Sequence, residues 1–224
     1  MNNWPREQRF LRDEIVRVGA SLFQRGHAHS TAGNISARLS AEQGGGFLIT
    51  PTDACLGFLD PEHIAWVDAD GQPRSGPRAS KTLVLHRRIY ASAPSAHCVL
   101  HTHSTHLVAL SLLGVWRTDD ILPPLTPYQL MKVGHVPLIP YHRPGDPAVA
   151  DAVAAHIQAR STPLRAVLLE RLGPTVWHDS PASAMALLEE LEETARLWLL
   201  GARALTPLSE AQIEALRTQF GVPW

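Results

Sequence analysis

Short β-rich runs alternate with helical segments along the whole chain, and this alternation restricts the fold more than any other feature of the sequence. The runs 46–50 and 63–67 end at turn signals, Pro51 and Asp70-Gly71. Longer segments between such runs carry apolar residues at helical spacing. No internal repeat period is present, which argues against a solenoid. The pattern predicts an α/β fold, but periodicity alone leaves open whether the sheet is mixed or antiparallel.

Helices and further extended runs can be assigned along the rest of the chain. The expected helices are 6–25, 80–92, 104–113, about 148–159, 181–200 and a last one that begins at Ser209. The further extended runs are 97–101, 136–140, 165–170 and 175–178. The helix 181–200 has the clearest ends, because Ser180 suits the N-cap, Pro181 the first turn and Gly201 the C-terminal stop. Gln212 completes a capping box with Ser209.

Composition favours one globular domain. The chain has 224 residues, of which 45% are hydrophobic, and Lys+Arg and Asp+Glu number 20 and 21. This balance argues against nucleic acid or a membrane surface as a partner. No apolar run is long enough to span a membrane, and the first residues lack the apolar region of a signal peptide. We therefore expect a single cytoplasmic domain over 1–224, with a core of about 6–203 and a C-terminal helix of about 209–220.

Two cysteines and twelve histidines bear on chemistry. Cys55 and Cys98 form no CxxC pair, so we expect buried thiols in a reducing compartment. The motif His101-Thr102-His103 follows an extended run, where residues i and i+2 point to the same face. Two imidazoles on one face can chelate a zinc ion, which in catalytic sites usually has three protein ligands. The alternative is that both histidines pack at a strand end and bind backbone groups.

Several motifs in order resemble the class II aldolase/adducin family. They are Gly33-Asn34-Ile35-Ser36, Thr50-Pro51-Thr52, Ser80-Lys81 and the run from His101 to His106. The segments 125–134, 136–153 and 188–200 are most similar to one branch, the 3-oxo-tetronate 4-phosphate decarboxylases, which are related to L-fuculose-phosphate aldolase. The resemblance covers nearly the whole chain. It implies one domain with a central, mostly antiparallel or mixed sheet flanked by helices.

The resemblance also implies roles for individual residues. His101 and His103 match two ligands of a divalent ion, zinc or a similar metal, that polarises a substrate carbonyl. The residues that match the substrate-binding positions are Gly33, Asn34, Thr52, Ser80 and Lys81. Taken alone, Asn34 and Thr52 would be plain turn formers. Relatives form ring-shaped homotetramers with active sites at subunit boundaries, so we expect a homotetramer with a small-molecule substrate.

The chain departs from the family pattern at three positions. Thr82 stands where the family has its catalytic glutamate, Leu172 where a third metal-binding histidine is expected, and Asp53 where the phosphate-binding turn has glycine. Threonine cannot act as a general base near neutral pH, and leucine cannot bind a metal. The Asp53 carboxylate repels a phosphate dianion unless a cation such as Lys81 neutralises it. These changes predict weaker metal binding and slow or absent decarboxylation of a 4-phosphorylated 3-oxo acid.

Other residues could replace the lost groups. His106, His135, His142 or Glu170 could supply a third ligand, and Asp53 could act as the acid–base group. The alternatives are that His106 is a surface residue, that His135 and His142 serve packing or an interface, and that Glu170 only pairs with a neighbouring arginine.

Two functions remain open at this point. One is a metal-dependent carbon–carbon lyase, of aldolase or decarboxylase type, acting on a small sugar or sugar-acid derivative. The other is an inactive paralogue that keeps the fold for assembly or ligand binding. The metal content of the purified protein distinguishes them.

Overall fold

The computed structural model describes residues 4–222 and 224, and it contains six helices and eight strands in this part of the chain. The helices are α1 (Arg6–Gln24), α2 (Leu83–Ser92), α3 (Thr105–Leu113), α4 (Ala148–Gln158), α5 (Pro181–Leu200) and α6 (Glu210–Phe220). The strands are β1 (Asn34–Arg38), β2 (Phe47–Ile49), β3 (Ala65–Val67), β4 (Pro73–Ser75), β5 (Cys98–His101), β6 (Leu138–Ile139), β7 (Ala166–Leu169) and β8 (Gly173–His178). Short 3₁₀ turns lie at Leu56–Phe58 and Pro61–His63, and a π turn at Gln129–Val133.

All eight strands belong to one mixed sheet with the order β4-β3-β2-β1-β5-β8-β7-β6. Every pairing is antiparallel except that of β6 with β7, which is parallel. The expected α/β fold with a mostly antiparallel sheet is therefore confirmed. Strand β5 lies between β1 and β8, so the residues at its end are held from both sides.

Helices cover both faces of the sheet. Leu100 of β5 and Leu168 of β7 face a core that also contains residues of α1, α3 and α5. The alternate residues Val99 and Val167 face a second core with α2 and α4. Because side chains alternate along a strand, His101 shares the face of Val99. The end of β5 thus presents His101 on the side covered by α2 and α4.

The predicted helix ends of the C-terminal half are confirmed. The Ser180 hydroxyl accepts a hydrogen bond from the Ser183 amide, and Pro181 begins α5. Ser209 and Gln212 form the predicted capping box at the start of α6. Capping of this kind stabilises a helix by about 1 kcal/mol.

Three expectations were wrong in detail. Helix α2 begins at Leu83 rather than at residue 80, because Ser80 is held in the preceding turn by the Thr50 carbonyl. Strand β4 was not expected, since its three residues are exposed and polar or proline. Strand β8 begins at Gly173 rather than 175, although Pro174 lacks an amide donor.

The two cysteines differ in burial. Cys98 is buried, and burial raises the pKa of its thiol, whereas Cys55 is only partly buried, contrary to expectation. Among the described residues, no helix combines the length and apolar character needed to cross a lipid bilayer.

Candidate functional site

A cavity of about 380 Å³ lies beside the ends of β1 and β5, between the start of α2 and the segment 142–147. Its walls contain every residue that the resemblance assigned to catalysis, substrate binding or the metal pair. These are Gly33, Asn34, Thr52, Asp53, Ser80, Lys81, Thr82, His101 and His103. Leu172 and His142 also line it. The fold thus brings together residues that are far apart in the chain.

Three neighbouring strands place polar residues in one row at this cavity. Asn34 of β1 lies opposite His101 of β5, and Thr175 of β8 lies opposite His101 on the other side. Residues directly opposite each other in a sheet share a face. Asn34 is almost fully buried, and its Oδ1 has no hydrogen-bond partner among the described residues.

His101 is held in one orientation and one tautomer. Its Nδ1–H donates to the Pro174 carbonyl at 2.8 Å and also lies 3.1 Å from the Thr175 hydroxyl. A carbonyl can only accept, so the proton is on Nδ1 and the lone pair is on Nε2. Burial, followed by the nearby His103, lowers the pKa of His101 to about 3. The ring is therefore neutral near pH 7, as a metal ligand must be.

His103 lies against His101 at the same cavity. The two ring centroids are 5.1 Å apart with an interplanar angle of 71°. Partial burial, and then the nearby His29, lower the pKa of His103. The expectation that the two rings share one cavity is confirmed, although apolar side chains also line much of it, and their role as metal ligands stays a prediction.

Two glycines allow the backbone to close around this pair. A Cβ on Gly173 would lie 2.3 Å from the Thr102 carbonyl oxygen and 3.1 Å from the His103 Cα. A Cβ on Gly33 would lie 2.8 Å from the His101 carbonyl oxygen. Both have positive φ, 111° and 94°, which other residues rarely adopt. Any side chain at these positions would push the histidine segment out of place.

A buried carboxylate that sequence reasoning missed fixes the turn after His103. Glu192 of α5 accepts hydrogen bonds from the His106 amide at 2.9 Å, the His106 Nδ1 at 2.8 Å and the Leu107 amide at 3.1 Å. It is 4% exposed. The Ser104 hydroxyl donates to the His27 carbonyl in the same turn. The only sequence signal was a glutamate among apolar residues of a helix.

The opposite wall contains the turn that resembles a phosphate site. The Thr52 amide donates to the Arg78 carbonyl, and the Ser80 amide donates to the Thr50 carbonyl. Asp53 follows with φ of 57°, in the left-handed region that favours glycine. This conformation agrees with the expectation that Asp53 stands at a glycine position.

Thr82 and Leu172 both line this cavity, while their correspondence to a family glutamate and a third histidine stays a prediction. The Thr82 hydroxyl lies 2.9 Å from the Ser80 hydroxyl. Leu172 packs against the core on the α2 and α4 side. Among the described residues that line the cavity, only Asp53 and Asp146 carry carboxylates.

Three of the four candidate replacements for the third ligand do not line the cavity. His106 binds Glu192 while its side chain stays 38% exposed, so it is a surface residue with a buried partner. His135 binds Asp120 at 2.7 Å and stacks on Trp224. The Glu170 carboxylate accepts from the Tyr141 amide, which corrects its expected pairing with Arg171.

His142 lines the cavity and has its Nδ1 3.9 Å from the Asp146 carboxylate. Over residues 4–222 and 224, no three His, Cys, Asp or Glu side chains lie close enough together to form a complete metal site.

A second buried histidine next to the cavity was also missed. His86 lies one turn after Thr82 in α2 and is fully buried. Its Nδ1 is 2.7 Å from the Ser36 hydroxyl, which is 2.8 Å from the Tyr90 hydroxyl. Burial, followed by the nearby His101, lowers the pKa of His86 to about 3. Its only sequence signal was an apolar helical context.

The donor groups fit a divalent ion in part. Two neutral imidazoles that share one tetrahedral ion through Nε2 have centroids about 5 Å apart, because each nitrogen lies about 2 Å from the ion. The separation of His101 and His103 matches this value. The hydrogen bond from His101 Nδ1 to a carbonyl is the usual orienting contact of a metal-bound histidine.

Comparison with known proteins agrees with the fold and the motifs. The profile of the Class II Aldolase and Adducin N-terminal domain matches residues 13–199. The chain is 57% identical over 219 residues to a 3-oxo-tetronate 4-phosphate decarboxylase of Cupriavidus necator, covering 96% of this chain and 97% of the relative. It is 40% identical to the Escherichia coli K12 protein of the same name, covering 97% and 100%. Both names support a lyase.

Solved structures give the same result. The crystal structure of YgbL from Escherichia coli has a TM-score of 0.86 with 41% identity, covering 95% of this chain and 100% of that one. An L-fuculose 1-phosphate aldolase has a TM-score of 0.77 at 22% identity, covering 95% and 96%, and shows the shared fold alone. The chain belongs to the class II aldolase and adducin family.

Proposed function

We propose that this chain is a divalent-metal-dependent carbon–carbon lyase of the decarboxylase type, that it acts on a phosphorylated sugar acid, and that its proton-handling group departs from the family pattern. The observation that carries the proposal is the single cavity that contains both the imidazole pair and Asn34, Ser80 and Lys81. His101 supports it most directly, because its tautomer leaves Nε2 available to an ion.

The substrate class follows from the name of the relatives and the polarity of the cavity. A 3-oxo-tetronate 4-phosphate has a carboxylate at one end and a phosphate at the other. Lys81 and the hydroxyl groups of Thr52 and Ser80 line the wall that would hold the phosphate. Asn34 lies opposite His101 and lines the same cavity. Its amide could therefore bind the substrate.

Decarboxylation needs both charge stabilisation and a proton. The bond between C1 and C2 breaks, C1 leaves as carbon dioxide, and its electron pair is delocalised onto the C3 oxygen. A proton is then added at C2, which gives dihydroxyacetone phosphate. A divalent ion held by His101 and His103, zinc in our proposal, supplies positive charge that stabilises the developing negative charge. The chain must supply the proton.

Asp53 is the group that we assign to proton transfer. Thr82 has no suitable acid, and Asp53 and Asp146 are the carboxylates that line the cavity in the described chain. Asp146 already accepts a hydrogen bond from the Ala148 amide at the start of α4. Asp53 also opposes a phosphate dianion, so we expect slow turnover.

A second function is favoured by the same substitutions. With Thr82 and Leu172 at these positions, the cavity could bind a phosphorylated ligand without converting it. The protein would then be a ligand-binding paralogue. Lys81 and Ser80 would still bind the phosphate, although the reaction centre beside them has changed.

One experiment separates the two functions. The purified full chain with added Zn²⁺ is incubated with 3-oxo-tetronate 4-phosphate, and carbon dioxide and dihydroxyacetone phosphate are measured. We expect turnover well below the usual range of about 1–10³ per second, lost in His101→Ala and in Asp53→Asn. Binding without turnover, with binding lost in Lys81→Ala, would support the ligand-binding function. Turnover within the usual range would contradict the account of Thr82 and Leu172.

We also propose a homotetramer in the cytoplasm. Apolar side chains at the ends of α3 and α5 are exposed, including Leu113 at 62% and Leu200 at 71%. Exposed apolar residues on neighbouring helices favour an interface between subunits. Light scattering coupled to size-exclusion chromatography tests this, and we expect Leu113→Glu together with Leu200→Glu to give monomers. A monomeric wild-type protein would refute the tetramer.

A further inference from the structure

We propose that His29 supplies a third imidazole to an ion held by His101 and His103, so that the ligand lost at Leu172 is replaced from the loop before β1. This inference rests on the proposed metal site. His29 lies outside the family motifs, and it is not one of the four candidates named above, His106, His135, His142 and Glu170.

His29 lies next to His103, the outer member of the pair. Its ring centroid is 6.4 Å from that of His103, with an edge-to-face angle of 74°. His103 in turn is 5.1 Å from His101, so the three rings form a chain with His103 in the middle. The His29 side chain is exposed and makes no hydrogen bond to another described residue.

The distance requires a small movement of His29. Rings that share one tetrahedral zinc are all about 5 Å from one another, so His29 has to approach His103 by roughly 1 Å and also has to turn toward His101. Rotation about its side-chain bonds can supply this movement because the ring is exposed. The backbone stays fixed, since the His29 carbonyl accepts a hydrogen bond from the Ala32 amide in a turn that leads to Gly33.

The other histidines near the cavity lack this freedom or this proximity. The His106 ring is bound to Glu192. The Nδ1 of His142 lies 3.9 Å from the Asp146 carboxylate. His27 lies two residues before His29, but its carbonyl accepts from Ser104 and its ring is half-buried. Among the described residues, His29 is therefore the further histidine whose ring is in contact with the pair.

An ion bound this way should be held less tightly than by three fixed histidines. Ordering an exposed side chain opposes binding, because the side chain loses conformational entropy. Weaker metal binding is what the sequence predicts from Leu172. The ion would nevertheless be held by three imidazoles and not by two.

Zinc binding to the full chain tests the inference without any substrate. Isothermal titration with Zn²⁺ is compared for wild type, His29→Ala and the control His97→Ala, which changes an exposed histidine next to β5. We expect one ion per chain in wild type. His29→Ala should weaken binding by at least about 10–100-fold, the range found even for residues that only orient a ligand. His97→Ala should leave the affinity unchanged. X-ray absorption of the zinc complex should fit three imidazoles in wild type and two in His29→Ala.

Further variants decide between the competing results. In the His29→Ala background, Leu172→His should restore the affinity, which would show that the two positions serve the same ion. Equal affinities for wild type and His29→Ala would overturn the inference, as would a loss in His142→Ala in place of His29→Ala. Zinc binding that is lost in His101→Ala but not in His29→Ala would refute only His29 and leave the proposed function standing.

Discussion

The two walls of the cavity differ in how firmly the rest of the protein holds them. The histidine wall is fixed from several sides: by the Pro174 carbonyl, by the close approach of Gly33 and Gly173, and by the buried Glu192. The opposite wall is held by backbone hydrogen bonds at Thr52 and Ser80, and by our proposal its residues Asp53 and Thr82 differ from the family pattern in charge and acidity. The comparison suggests that the framework around a reaction centre and the reacting groups within it can be tested separately.

The strongest test of this comparison restores the reacting groups. Asp53→Gly, Thr82→Glu and Leu172→His together should raise the decarboxylation rate by about 10²–10⁴-fold, the usual contribution of a positioned acid–base group. Turnover of 3-oxo-tetronate 4-phosphate is measured for wild type and the triple variant. The matched control replaces Thr82→Glu by Thr82→Gln, which has nearly the same size but no acid. A triple variant no faster than its control would show that the framework itself has also changed.

The next test concerns the charge at the phosphate turn. Two unit charges about 4 Å apart repel by roughly 4 kcal/mol at an effective dielectric of about 20, so Asp53 could weaken dianion binding by up to nearly three decades. Lys81 offsets part of this. We expect Asp53→Asn to bind inorganic phosphate about 10–100-fold more tightly, because it removes the charge and tolerates the left-handed backbone.

Asp53→Gly is the control for the charge effect. It removes the same charge and also the conformational constraint at φ of 57°. Equal phosphate affinities for wild type and both variants would mean that Lys81 already neutralises Asp53. The two walls would then differ less than their sequences indicate.

Most of the fold followed from the sequence because its signals are local. The caps Ser180 and Ser209 and the apolar period of α5 act over a few residues, so they could be identified in one chain. The exposed strand β4 could not, since Pro73–Ser75 has no alternation of apolar and polar residues. It forms because β3 leaves an edge that can be paired, which is a property of the folded sheet.

The site was predictable only where motifs are short. His101 and His103 are two residues apart, and strand spacing predicts that they lie together, although β5 ends at His101 and His103 lies just beyond it. Glu192 is 86 residues from His106, so nothing in the local sequence indicates their contact. The contacts of His29 with His103 and of His86 with Ser36 also join residues far apart in the sequence, so the local sequence did not indicate them.

The rigidity of the histidine wall should appear in the pH dependence of stability. The folded-state pKa values of His101 and His86 are lowered from 6.5 to about 3. Below pH 6.5 the unfolded chain binds protons that the folded chain does not bind until about pH 3. The free energy of unfolding is therefore highest above pH 6.5. As the pH falls below 6.5, it decreases by about 1.4 kcal/mol per pH unit for each of the two histidines.

Denaturant unfolding without metal between pH 7 and pH 5 measures this effect. His101→Gln should remove about half of the slope, whereas His97→Ala, which changes an exposed histidine, should leave it unchanged. A wild-type slope no steeper than that of His101→Gln would mean that His101 is protonated in the folded protein, and the wall would be more open than its burial indicates.

The smallest expected effect isolates Glu192, the part of the histidine wall farthest from the cavity. Its carboxylate accepts from two amides of the first turn of α3 and from the His106 ring. In Glu192→Gln the side chain keeps its size, but one oxygen becomes an NH₂ group that faces a donor. We expect a loss of roughly 1–3 kcal/mol in the free energy of unfolding.

Stability alone would not show that Glu192 positions His103, so zinc affinity is the second measurement. We expect Glu192→Gln to weaken Zn²⁺ binding by about 10-fold, the low end for residues that orient a ligand. Glu193→Gln is the matched control, because Glu193 is the next residue of α5, exposed and paired with Arg196. Lower stability with unchanged zinc affinity would limit Glu192 to capping α3. Weaker zinc binding in both variants would instead point to the negative charge of this surface, since the hydrogen bonds of the Glu193 carboxylate go to Arg196 of the same helix.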